Sequence, residues 1–210
     1  IARTYQLADL HKVNLLGSVT WAFLFEGQPY FDGFRDLATN GIDKPVLNTF
    51  RMLGQMRGQR VAARSSGALA VDEVRDRSVR EAADVAALAS RDARSAAVLV
   101  WNYHDDDLPS TAAQGAPPAP ADVEVTISGV PDGRATLMHY RIDNDHSNSY
   151  TRWKAMGSPQ SPTKAQIEEL QASGQLQQLG APSNVTVTGG RTVVTFSLPR
   201  QGVSLLKLTW

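Results

Sequence analysis

Residues 13–25 read VNLLGSVTWAFLF, and Val19, Trp21, Ala22, Phe23, Leu24 and Phe25 follow one another with almost no polar relief. A strand that alternates has one wet face; a strand with this pattern is covered on both, as in parallel sheets flanked by helices. The run therefore constrains the fold more than any other stretch. A parallel strand needs parallel neighbours, and the surrounding sequence offers a single such unit. IARTYQLADLHK (1–12) places Ile1, Tyr5, Ala8, Leu7 and Leu10 at helical spacing, and residues 26–44 form a long loop. KPVLNTFRMLGQM (44–56) then reads as a helix, with Asp43 before it, Pro45 in its first turn and Val46, Leu47, Phe50 and Leu53 as its apolar stripe. Residues 1–56 thus form one helix–strand–loop–helix unit of an α/β fold. Either a second chain completes the sheet, or these residues are the tail of a domain that starts earlier; the second reading is the expectation adopted.

From residue 59 the pattern changes to short strands separated by turn residues. Residues 85–104 read as a hairpin turning at Arg91–Arg94, residues 122–143 as one turning at Pro131-Asp132-Gly133, and residues 184–198 as one turning at Gly189-Gly190. VSLLKLTW (203–210) is a last strand, and QGAPPAPAD (114–122) a Pro/Ala loop between hairpins. Regular short strands with such turns predict an antiparallel β-sandwich over 59–210. One helix interrupts it: SPTKAQIEELQASG (161–174), with Ser161 as the expected N-cap, Pro162 at the first helical position and Gly174 as the stop. Before it, residues 144–159 are too polar and too long for a hairpin, and loops of that length in compact domains tend to be functional. The fold class read is α/β followed by all-β.

Charge excludes several partners. Lys+Arg and Asp+Glu both number 21, so nothing argues for nucleic acid or an anionic membrane. No apolar run approaches the roughly 20 residues of a membrane helix, and residues 1–25 are not expected to be a signal peptide, because IARTYQLADLHK is amphipathic and charged where a signal would be apolar. There is no cysteine, hence no disulfide and no thiolate metal site. His11, His104, His139 and His146 form no HxxxH or HExxH pair, and Asp105-Asp106-Asp107 lacks the spacing and glycine of a calcium loop, so no metal is expected. Asn184-Val185-Thr186 is a lone glycosylation sequon. No cofactor motif is present. The compartment stays open, a bacterial cytoplasm or periplasm fitting better than a membrane.

Sites in parallel α/β sheets lie at the C-terminal ends of strands. Glu26 stands at that end of the apolar run, with Trp21, Phe25, Tyr30, Phe31 and Phe34 close by. An acid among aromatic faces suits a sugar: ring C–H faces stack on the aromatics while the carboxylate accepts bonds from neighbouring hydroxyls. The plainer alternative makes the aromatics core and pairs Glu26 with Arg35.

WAFLFEG…FDGFRDLATNGIDKPVLNTFRML (21–53) resembles the last strand, loop and helix of the catalytic barrel in glycoside hydrolase family 39, most specifically through Asn40, Gly41, Ile42, Lys44, Pro45 and Phe50. HYRIDNDHSNSYTRWKAMGSP (139–159) is similar to the family's sandwich, in a Tyr-x-x-Trp-x-x-Met-Gly-Ser-Pro run from Tyr150 to Pro159. The family holds bacterial β-xylosidases and, more distantly, animal α-L-iduronidases. The resemblance implies the last βα unit of a (β/α)8 TIM barrel at 1–56, followed by an accessory β-sandwich at 59–210. It implies a retaining exo-glycosidase acting on xylo-oligosaccharides without a cofactor, through two glutamates about 5 Å apart. Those glutamates are expected upstream of Ile1, in the missing N-terminal barrel portion, so no catalytic residue is assigned in this chain. Trp21 would then be the platform under the terminal sugar, Glu26 would hold its hydroxyls, and Phe31 and Phe34 would line the wall. The 144–159 loop would either narrow the barrel mouth or pack the sandwich against the barrel through Tyr150, Trp153 and Met156. The rivals are a glycosidase for another sugar, iduronidase-like or arabinosidase, where Arg35 and Lys44 are the candidate cations for a uronate, and a non-catalytic carbohydrate-binding or structural sandwich. Oligomeric state is not legible.

Overall fold

The computed structural model describes residues 1–20, 22–33, 36–105 and 120–210. In chain order the elements are α1 (Ala2–Leu10), β1 (Ala38–Thr39), β2 (Ile42–Asp43), α2 (Pro45–Gln55), β3 (Gln59–Val61), α3 (Val71–Arg77), β4 (Asp84–Arg91), β5 (Ser95–Tyr103), β6 (Ala121–Ser128) and β7 (Gly133–Ile142). Then come α4 (Ser149–Ala155), α5 (Lys164–Ser173), β8 (Gln177–Gln178), β9 (Ser183–Val187), β10 (Arg191–Leu198) and β11 (Val203–Thr209). The chain is mixed α/β. It groups into two compact units: residues 1–16, 56–139 and 181–210 in the first, residues 17–55 and 140–180 in the second. These units cut the chain differently from the boundary read at residues 56–59, because 140–180 groups with 17–55.

The first unit is built by strand pairing. β4 and β5 form the expected hairpin, from Asp84 opposite Tyr103 to Arg91 opposite Ala96. Its turn is made by Asp92, whose Oδ1 accepts from the backbone of Arg94 (2.9 Å) and Ser95 (2.7 Å). Those bonds, with the Ser95 hydroxyl, hold the Asp92 carboxyl below the usual carboxylate range. β3 extends the sheet on one side of β4, β11 pairs with the far side of β5, and β7 follows β11. Gly58 precedes β3 at φ 78, and a Cβ there would lie 2.1 Å from the Arg91 carbonyl oxygen. Only glycine fits that approach.

Two hairpins read from the sequence are corrected. β6 and β7 flank the Pro131–Gly133 turn but do not pair: β6 lies along β10, Ala121 opposite Leu198 through Ser128 opposite Arg191, while β7 pairs with β9. Likewise the Gly189-Gly190 turn forms, closed by a Thr188–Arg191 bridge, yet β9 and β10 go to different sheets. The turn residues fix where the chain reverses. Which strand lies alongside is decided by burial of apolar faces between two sheets. Val98, Val100, Leu137, Leu206 and Leu208 from the larger sheet meet Ile127 and Leu198 of the β6–β10 pair in one core. Each such side chain contributes about 1.5–3 kcal/mol on burial. The two corners are tied together, since the backbone N–H of Gly129 (2.8 Å) and of Val130 (3.2 Å) donate to the Gly190 carbonyl. α1 joins this unit by charge: Arg3 pairs with Asp84 (2.6 Å), which also accepts from the Trp101 indole (2.9 Å) and the Leu69 backbone (3.0 Å).

In the second unit α2 begins and ends within a residue of the expectation. The helix at 161–174 is shorter at its start than read: Thr163, not Ser161, is the N-cap, because only Thr163 has a glutamine three residues on to close a capping box. Gly174 caps its end as expected. The 144–159 segment contains α4.

The largest correction concerns residues 13–25, which form no strand among the described residues. Leu16 is 90% exposed and Val19 97%. The ordered contacts lie at its end, where Ala22 bridges Asp36 and the Phe23 carbonyl accepts from Leu37 and Ala38, both at 2.9 Å. A strand covered on both faces needs neighbours at its edges and layers over its faces, and the described residues supply neither.

Candidate functional site

The loop that follows the apolar run is held residue by residue. Glu26 and Gly27 make a turn, with Gly27 at φ 69, and the Glu26 side chain is exposed. The Asn40 amide donates to the Gln28 carbonyl (3.1 Å). Gln160 grips the backbone of Tyr30 from both sides, accepting from its N–H (2.7 Å) and donating to its carbonyl (3.3 Å). The Phe31 N–H donates to the hydroxyl of buried Thr39 (2.9 Å), and the Lys44 ammonium donates to the Asp32 carbonyl (3.2 Å). Lys44 also forms an ion pair with Asp36, whose side chain is nearly fully buried. Phe31 has φ 59, a conformation that costs a bulky L-residue on the order of 1–2 kcal/mol. The surrounding clamps overdetermine the loop and hold that strain in place.

The reward for the strain is where the ring goes. The Phe31 ring lies 4.9 Å from the ring of Trp153 and 5.6 Å from that of Tyr150, and those two stack 5.8 Å apart at 28°. The Trp153 indole N–H is already satisfied by the Pro159 carbonyl (2.9 Å). Tyr150 remains 43% exposed, and the Lys154 ammonium sits 5.3 Å from its ring centre.

Tyr150 and Trp153 reach this position because α4 is anchored at its start. Asn148 caps the helix by accepting from Thr151 (3.1 Å) and donates to the Asp143 carbonyl (2.9 Å). Asp143 itself accepts from the backbone of Asp145 and His146 and from the His146 ring, each at 2.9 Å, and pairs with Arg141 at 3.2 Å. Burial pushes the Asp143 carboxyl up, but the His146 ring and the two backbone donors outweigh it and leave the carboxyl below its usual range. Behind α4 lies a buried polar network. The Asn48 amide donates to the carbonyls of Ser147 (3.0 Å) and Gly174 (2.8 Å), while its oxygen accepts from Arg51 (2.9 Å). Arg51 also binds Asp43 (2.7 Å), and the Ser149 hydroxyl donates to the Asp43 carbonyl. Residues 43–51 and 147–174 are thereby knit into one body.

A model of glycosyl hydrolases family 39 matches residues 5–190. The chain belongs to glycosyl hydrolase family 39. A β-xylosidase of Caldicellulosiruptor saccharolyticus is 27% identical over 168 residues, covering 75% of this chain and 29% of its own length. In three dimensions the chain is similar to a monomeric β-xylosidase from Caulobacter crescentus CB15, with TM-score 0.70, 21% identity, and coverage of 99% of this chain and 41% of the other. It is equally similar to the family 39 enzyme of Xanthomonas axonopodis pv. citri, at TM-score 0.70 and 20% identity, covering 99% of this chain and 40% of that one. The chain therefore spans less than half the length of these relatives.

Within this family 39 chain, Glu26 is exposed in its turn and Phe31 belongs to the aromatic cluster. Trp21 and Phe34, and the candidate cation Arg35, lie outside the described residues. Lys44, the other candidate cation, is committed to Asp36. Sequence reading singled out neither Thr39 nor Gln160, the clamps of the loop. Thr39 carries no signal beyond its place next to Asn40-Gly41. Gln160 acts on a residue far away in sequence, which no local pattern reveals. Among the described residues, no group of three His, Asp or Glu is placed to hold a metal, and no helix is long and apolar enough to cross a membrane.

Proposed function

We propose that this chain is the C-terminal part of a retaining exo-β-xylosidase, the end of the TIM barrel at 1–56 and the β-sandwich at 59–210, that releases terminal xylose from xylo-oligosaccharides. Family membership makes the full-length protein a glycoside hydrolase. The observation that carries the finer reading is the loop at 26–33, where Glu26 is exposed and the backbone of Tyr30 and Phe31 is held by the side chains of Gln160 and Thr39. Such rigidity is what a sugar subsite needs, because hydroxyls are discriminated only by groups that do not move to accommodate the wrong one.

In this reading the paired glutamates that break the glycosidic bond stand about 5 Å apart in the part of the protein outside this chain. No Asn-Glu-Pro motif occurs in the 210 residues. Glu26 accepts from the hydroxyls of the terminal sugar and Phe31 lines the wall, while Trp21 and Phe34, outside the described residues, are assigned to the same sugar by the family resemblance alone. The buried Lys44–Asp36 pair supports a neutral sugar over a uronate, since an ammonium already neutralised by a buried carboxylate is a poor partner for a second one.

The test is an assay of full-length protein against p-nitrophenyl β-xyloside, α-arabinofuranoside and α-iduronide side by side, with the anomer of the first product read by NMR. Xylose released with retention is the expected outcome, and preference for another glycoside overturns the reading. Glu26→Gln is expected to lower kcat/KM by about 5- to 150-fold, or about 1–3 kcal/mol for one charged hydrogen bond. An unaltered kcat/KM removes Glu26 from the subsite.

A further inference from the structure

Glu26 lies in a stretch of backbone that is fixed at both ends. The Phe23 carbonyl is tied to Leu37 and Ala38, and the Phe31 N–H to Thr39. Among the described residues, two side chains hydrogen-bond the backbone between those ends: Asn40, on the Gln28 carbonyl (3.1 Å), and Gln160, on Tyr30. Asn40 belongs to the β1–β2 turn that follows the loop in sequence, whereas Gln160 comes from the far side of the sandwich strands β3 to β7. A primary amide offers a donor and an acceptor side by side, as the backbone of a neighbouring strand does. Gln160 uses both, accepting from the Tyr30 N–H (2.7 Å) and donating to the Tyr30 carbonyl (3.3 Å).

Gln160 is itself aimed by Trp153. The Trp153 carbonyl accepts from the Ser158 N–H (3.1 Å), and its indole N–H donates to the Pro159 carbonyl (2.9 Å), so the turn before Gln160 is fastened to the end of α4. The Trp153 ring also lies 4.9 Å from that of Phe31. Residues 153–160 therefore grip two consecutive loop residues, Tyr30 by its backbone and Phe31 by its ring.

We propose that Gln160 is a positioning residue: by holding both polar groups of Tyr30 it fixes the loop that carries Glu26, and so sets how well Glu26 meets the hydroxyls of the sugar. This rests on the reading of Glu26 as the group that holds those hydroxyls, and on no particular sugar. Binding groups must be held to within about 0.5 Å of the productive geometry. Without Gln160, residues 24–30 keep a single side-chain bond to their backbone, the one from Asn40.

The experiment is a double-mutant cycle in the full-length protein, on whichever aryl glycoside it cleaves fastest. Gln160→Met keeps the length of the side chain and removes both hydrogen bonds. It is expected to lower kcat/KM by about fivefold or more in the wild-type background, and by less than about twofold beside Glu26→Gln. Equal losses in the two backgrounds overturn the inference, because a merely structural role weakens the enzyme whether or not the Glu26 carboxylate is present. No loss in either background overturns it too. Gln160→Asn keeps the amide but falls one methylene short of Tyr30, and decides the matter in the same way should the methionine variant fail to fold. Failure of the underlying reading shows itself differently: Glu26→Gln alone then leaves kcat/KM unaltered. That outcome removes Glu26 from the subsite and overturns the inference with it, as does a protein that cleaves no glycoside.

Discussion

The two compact units differ in how much of what they bury is apolar: both bury polar groups, Asp84, Asn102, His104 and Ser204 among them in the first, but the first sets them beside a far larger apolar core. The sandwich unit buries Val98, Val100, Leu206 and Leu208 against Ile127 and Leu198, an apolar core whose cohesion has no direction. The unit of residues 17–55 and 140–180 also buries Ile42, Met52 and Leu170, but beside them lie Asp36, Thr39, Asn48, Arg141, Ser147 and Ser149. Its cohesion is directional, since each buried polar group must find its partner at hydrogen-bond geometry. An apolar core accepts a side chain of similar volume. A polar network accepts only the right atoms in the right places, which is also the property that lets such a unit hold the 26–33 loop rigid.

That contrast is broken or sharpened first at Leu206, which is fully buried. Leu206→Ala is expected to destabilise by about 2–5 kcal/mol, through lost transfer energy and the cavity left behind. Leu206→Met, which conserves volume, should cost less than about 1.5 kcal/mol. Denaturant titration of both variants measures the gap. A methionine variant as unstable as the alanine one would mean that the sandwich depends on detailed fit as much as the polar unit does.

Asn48 is the matching position in the polar unit. Asn48→Leu is close in volume, yet it leaves the Ser147 and Gly174 carbonyls and one Arg51 donor without their partner. The expected cost is about 1–3 kcal/mol, against near neutrality for a volume-conserving swap in an apolar core. Amide hydrogen exchange should show faster opening in residues 36–55 and 140–180, with β4, β5 and β11 protected as before. Unchanged exchange in those two segments would show that the network contributes little.

These positions also show why parts of the molecule were legible in sequence and parts were not. The β4–β5 reversal is written locally, in an aspartate two and three residues before the donors it binds. So are the start of α2 and the glycine that ends α5. The partners of β6 and β10 are not, because strands on either side of a good turn can fold onto each other or onto opposite sheets, and only the whole core chooses. Residues 13–25 carried a true apolar signal, but periodicity says what a segment can be buried in, not whether the burying surfaces are present. The candidate site divides in the same way. Glu26 and Phe31 were marked by composition, whereas the contacts of Phe31 with Trp153 and of Tyr30 with Gln160 join segments separated by most of the chain.

Asp143 gives the smallest and most specific test of directional cohesion. Its carboxyl is lowered in the folded protein because the His146 ring and two backbone N–H groups together outweigh the effect of burial. A carboxyl with a lowered folded value adds stability that is present above its unfolded pKa, about 3.9, and is lost as pH falls through the folded value. Asp92 and Asp105 are lowered in the sandwich unit too, but both carboxyls lie near solvent, where screening weakens their effect. The decisive comparison is therefore between wild type and Asp143→Asn, following thermal midpoints from pH 6 to pH 2.5. The variant should start lower at pH 6, because its amide is a weaker acceptor for the His146 and Arg141 donors, and should lose less on acidification. Parallel acid curves would assign the acid sensitivity to the exposed carboxylates and leave Asp143 as a geometric support for α4 alone.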